Sequence, residues 1–185
     1  MKEQPKPPGR FGSLLSGVPR PAKIAALVVV GLFFLVIIYS VFFAKKTSNS
    51  DQMVVVAGRA QEIARVSELV IRNSKDNDGL SLATTMDEAM TSQEVQLRSY
   101  LAKQKVKLDP KLLLTYVNKS TDASLAEAQQ NNAYEQAYYS YLKDSLTRYQ
   151  TSLNTAYSAA GPKGKALLSD ANESVKTILS ASQLK

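Results

Sequence analysis

The stretch YEQAYYSYLKDSLTRYQTSLNTAYSAA, residues 134–160, decides the fold class. Tyr134, Tyr138, Leu142, Leu146, Tyr149, Leu153, Ala156 and Ala160 recur at steps of 4, 4, 4, 3, 4, 3 and 4. That spacing makes one apolar stripe on a helix of 3.6 residues per turn. Gly161-Pro162 closes it, with glycine past the helix end and proline beyond. The same period continues on both sides. Downstream, Leu168, Ala171, Val175 and Ile178 predict a further helix over about residues 165–182. Upstream, Leu125–Gln130 is helical in character and Asn131-Asn132 reads as a break.

Asp109-Pro110 is a start signal, a capping side chain followed by proline at the first helical position. It predicts a short helix from Lys111 to Val117, with Leu112, Leu113, Leu114 and Tyr116 closing the bundle like a lid. Ahead of it, about Leu80 to Val106, Ala83, Met86, Met90, Leu97, Leu101 and Gln104 share a face, and Thr85 and Glu88 match a capping box. SKDNDG at 74–79 reads as the connector to a first helix, about Asp51 to Asn73, capped by Ser50. Its stripe is Val56, Ala60, Ile63, Val66 and Val70. No segment alternates at period 2 long enough for a strand. The expected fold is all-α: an antiparallel four-helix bundle over residues 51–185, with a short extra helix between helices 2 and 3.

Residues 24–44, IAALVVVGLFFLVIIYSVFFA, hold no charge and are bracketed by Lys23 and Lys45-Lys46. At about 1.5 Å per residue such a run spans roughly 30 Å, the hydrocarbon thickness of a bilayer. A cleaved signal peptide needs a shorter apolar region and a small residue where Phe42 and Phe43 stand. The reading is a single transmembrane helix at 24–44, a basic disordered tail at 1–23 rich in Pro and Gly, and a linker at 45–50. More Lys and Arg lie before the span than just after it, which predicts a cytoplasmic N-terminus and an extracytoplasmic domain in the plasma membrane.

Charge and composition exclude several functions. Of the net +7, residues 1–23 carry +4 and Lys45-Lys46 +2, leaving +1 for the domain. Cations at the ends of an apolar run meet lipid headgroups, whereas a nucleic-acid binder needs a basic face on its folded domain. No nucleic acid is expected as a partner. The sequence has neither cysteine nor histidine, so it lacks thiol chemistry, the commonest general base and the commonest metal ligand. Asp76-Asn77-Asp78-Gly79 resembles the opening of a calcium loop but has no closing Glu, and GPKGK at 161–165 lacks the spacing of a phosphate loop. No catalytic, cofactor-binding or metal-binding residue is assigned, and the chain is expected not to be an enzyme. Six of the nine tyrosines lie between Tyr134 and Tyr157. Tyr139 and Tyr141 fall off the apolar stripe and are expected as an exposed, partner-binding pair.

Three stretches carry a resemblance: Leu82-Ala83-x-x-Met86 with Leu97 and the run Leu101 to Lys105; Val106 to Pro110; and Tyr134-Glu135-x-x-Tyr138. In order and spacing, over about residues 54–180, they resemble a bacterial exported ferritin-like family of unknown function. The resemblance implies a four-helix fold. It also implies histidines facing the bundle, one after an aspartate in the second helix, where this chain has Ala89 and Met90. A bundle retained as a scaffold without its metal follows from that departure. The expected function is a membrane-anchored, non-catalytic binding or structural module of the bacterial cell envelope. Its partners would be the bilayer through residues 24–44 and an envelope protein or a second copy. The rival is a ferritin-like, carboxylate-only metal-binding or redox-stress protein, drawing on acids such as Glu62, Glu68, Glu88 and Glu135.

Overall fold

A computed structural model describes residues 50–184. The expected tail at 1–23, span at 24–44 and linker residues 45–49 lie outside them. Among the described residues the structure is all helical, with no strand. No helix among them is long and apolar enough to cross a membrane. Helix α1 covers 50–73, and Ser50, expected as its cap, is already helical and buried. Then come α2 (Asn77–Lys103), α3 (Pro110–Leu114), α4 (Lys119–Gln130), α5 (Tyr134–Ala159), α6 (Pro162–Leu179) and a 3-10 turn (Ser182–Leu184).

The periodic stripes become the core. All eight apolar positions of the 134–160 stripe are buried, as are Val56, Ala60, Ile63, Val66 and Val70 of α1. From α2 come Ala83, Met86, Met90, Leu97 and Leu101, and from α6 Leu168, Ala171 and Val175. Burying a side chain of leucine size contributes about 1.5–3 kcal/mol. The long helices α1, α2, α5 and α6 therefore hold together by their greasy faces, with two short helices rather than one between α2 and α5.

A few polar bonds fix how the faces meet. Ser67 Oγ on α1 and the Tyr138 hydroxyl on α5 lie 2.8 Å apart, and the same Oγ donates to the Ile63 carbonyl. Across the bundle the Tyr149 hydroxyl donates to Gln93 Oε1 of α2 at 2.7 Å. Of Ala89 and Met90, the two positions where inward-facing histidines are the expectation, Ala89 is half-buried and the other lies in the core. Here Met90 is fully buried, and its thioether serves as apolar filling.

Several boundaries differ from the sequence reading, each through a cap. The connector after α1 is shorter than 74–79, because Asp76 accepts from Gly79 N and starts α2 at Asn77. Thr85 is inside that helix, its hydroxyl donating to the Ser81 carbonyl, so it forms no capping box. Gln104 is exposed rather than on the buried face. The next residue, Lys105, sits at φ 60, the left-handed conformation that ends the helix. Asp109 caps α3 as expected, accepting from Lys111 N, but the helix stops at Leu114. Only Leu113 of the expected lid is buried; Tyr116 is half-buried, while Leu112 and Leu114 face outward. Helix α4 begins at Lys119, ahead of the expected Leu125, because the Asn118 side chain accepts from Ser120 N and caps it. Asn132, at φ 54, makes the expected break before α5. Pro162 does more than end α5, since it begins α6.

Candidate functional site

Three elements converge on a cleft of about 310 Å³. Arg59, Glu62 and Ile63 come from α1, at a spacing that puts them on one face of the helix. Tyr141, Ser145 and Arg148 come from α5, again four and three residues apart on one face. The α3–α4 connection supplies Thr115, Tyr116 and Asn118, and Thr121 follows on α4. The connection can lie this close because residue 58 has no side chain. A Cβ on Gly58 would stand 2.2 Å from Cδ2 of Tyr116, so the tyrosine ring rests on bare helix backbone.

Polar groups on one wall of the cleft are fully engaged. Arg65 Nε donates to Glu62 Oε2 at 2.7 Å and its Nη2 to Glu62 Oε1 at 2.9 Å. The same guanidinium reaches Asp122 at 2.8 and 3.1 Å, clamping α4 onto α1. Asn118 N donates to Glu62 Oε1 at 3.0 Å. The hydrogen bond to Glu62 raises Arg65 further above its already high ordinary value. Such forked, charge-assisted bonds are stronger than neutral ones and set orientation.

Arg59 is different. It lies six residues before Arg65 on the same helix, and its buried Nε has no acceptor from the protein. Buried polar atoms are normally paired, and an unpaired one costs about 1–3 kcal/mol. Arg148, the second guanidinium of the cleft, reaches only Asp144, at 3.8 Å, with both side chains well exposed. A pair of that kind is worth little. The Tyr141 hydroxyl has a long 3.4 Å contact to the Glu62 carbonyl. Burial raises its pKa, against the opposing effects of Ser145, Arg65 and Arg148.

The pair expected to be exposed, Tyr139 and Tyr141, is not. Both are half-buried and packed against the core. Residues two apart on a helix point to different sides. Tyr139 turns toward the start of α2, with its hydroxyl 3.5 Å from Asp76 Oδ2, while Tyr141 turns into the cleft. They form no common patch, because Tyr139 meets Asp76 in the α1–α2 connector whereas Tyr141 lies on the side of α5 that α4 covers. Sequence reasoning passed over Arg59 and Arg148, which look like solvated charges on helix faces. Among the described residues, no three acidic side chains gather in a geometry that holds a metal ion. Compared with known proteins, the chain matches no family model, no curated protein and no solved structure.

Proposed function

We propose that this chain is a non-enzymatic module of the cell envelope, tethered in the plasma membrane by residues 24–44, whose helical domain lies outside the cytoplasm and binds a partner or ligand. The observation that carries the reading is the uncharged run Ile24–Ala44 bracketed by lysines, next to a domain left with a charge of only +1. Absence of histidine and cysteine from the sequence supports a binding role over a catalytic one. The bundle supports it further, since its buried polar groups at Ser67, Tyr138, Gln93 and Tyr149 are used in holding helices together. The cleft between α1, α4 and α5 offers the domain a place to bind. The likeness to exported ferritin-like domains fits the same reading, as a helical scaffold whose interior is filled by Met90 where a ligating side chain would stand.

Topology is the direct test. With Ser48 replaced by cysteine, the chain has a single thiol, and in intact cells it should label with a membrane-impermeant maleimide and stay in the membrane fraction after alkaline washing. Labelling only after lysis would reverse the orientation, and release into the soluble fraction would remove the tether.

A further inference from the structure

We propose that the cleft between α1, the α3–α4 connection and α5 is a binding site for a small organic oxyanion, a carboxylate or phosphate monoester carried on an apolar body. The inference rests on the binding role above and names the ligand class. Its main support is the contrast in charge satisfaction within one helix face. Glu62 also faces the cleft, but its two oxygens are hydrogen-bonded by Arg65 and Asn118 N, and neither is given to Arg59 Nε. Arg59 is left with a buried Nε lacking a protein acceptor, and Arg148 is held only by a loose, solvent-exposed contact. Two guanidinium groups lining one cleft suit a planar or tetrahedral oxyanion, because each presents donors in a fork. The Tyr141 hydroxyl, turned to the Glu62 carbonyl, and Ser145 line the same wall.

Size and lining set the rest of the ligand. A volume of about 310 Å³ is at the small end for ligand sites. It holds a molecule on the order of ten non-hydrogen atoms, taking about 30 Å³ for each water-sized unit. Ile63 and the Tyr116 ring supply apolar surface beside the charges. A bare inorganic ion would leave that surface wet. Charge at one end and an apolar ring at the other match the cleft better.

Benzoate and phenyl phosphate are the probes, with benzyl alcohol as the uncharged control, titrated calorimetrically into the full chain in detergent micelles at low salt. The expected result is saturable, one-to-one binding of at least one anion and none of the alcohol; which anion binds identifies the headgroup. Arg59→Gln and Arg148→Gln should each weaken binding about tenfold or more, the loss of one charge-assisted contact. Arg72→Gln, on the exposed side of α1, should bind as the parent does. Thermal melting of each variant shows that it is folded. Failure of both anions to bind, or equal binding by the Arg59 and Arg148 variants, would overturn the site. This outcome is separate from the topology test, because the purified chain binds or fails to bind regardless of where it lies in the cell.

Discussion

The middle of the bundle and the cleft beside α4 are built from the same helices, α1 and α5, yet treat polar groups in opposite ways. In the middle, every named polar contact is short and closed: Ser67 with Tyr138 at 2.8 Å, Tyr149 with Gln93 at 2.7 Å. At the cleft, Arg65 is held by two carboxylates while Arg59, on the same helix, has a buried Nε that none reaches. A hydrogen-bonded buried group locks a structure, and an unanswered one is a cost unless something else answers it. The difference separates the part of the molecule that makes the fold from the part that has a donor to spare.

The largest expected effect comes from three tyrosines, two buried in the middle of the bundle and Tyr141 beside the cleft. Burial raises the pKa values of Tyr138, Tyr149 and Tyr141 above the ordinary phenol range, burial being the leading cause for each. A free phenol titrates near 10, so above that pH the unfolded chain loses protons that the folded chain keeps. Their contribution is therefore complete below about pH 10 and falls as pH rises beyond it. With about 1.4 kcal/mol per tyrosine per pH unit, three tyrosines lower stability by about 4 kcal/mol at about pH 11. Urea midpoints measured at pH 8.5 and 11 would show this, and equal midpoints would mean the phenols are wetter than the structure has them.

A pair of substitutions sharpens the comparison itself. Arg65→Gln removes the clamp between α1 and α4 and leaves Glu62 partly unanswered, and it should cost about 1–3 kcal/mol in urea denaturation. Arg59→Gln, the same chemical change six residues earlier, deletes no protein hydrogen bond and removes the unanswered Nε, so it should cost nothing and gain up to about 1–3 kcal/mol. Comparable losses from both would erase the distinction between the two arginines.

Much of the fold was legible in the sequence, because burial on a helix leaves a local period. The stripes from Val56 to Val70 and from Tyr134 to Ala160 became core in full. Boundaries were less legible where a polar residue caps a helix. Asp76 and Asn118 look like loop residues by type, and only their bonds to Gly79 N and Ser120 N reveal helix starts. Tyr141 was misjudged for a tertiary reason. Its position off the stripe is real, but α4 covers that side of α5, with Leu125 buried in the contact. A closer look at 118–130 gives a hint, since Thr121 and Leu125 stand four apart on one face. The cleft had no such signal, because pairing between Arg65 and Asp122, 57 residues apart, leaves no trace in spacing.

The arginine side-chain resonances offer the most direct test that the cleft holds a donor to spare. In a ¹H–¹⁵N spectrum of the purified full chain titrated with phenyl phosphate or benzoate, the Arg59 Nε–H signal should shift in a saturable manner, while Arg65 Nε–H, already bonded to Glu62, stays in place. Both signals moving together, or neither moving at any concentration of either anion, would contradict the account.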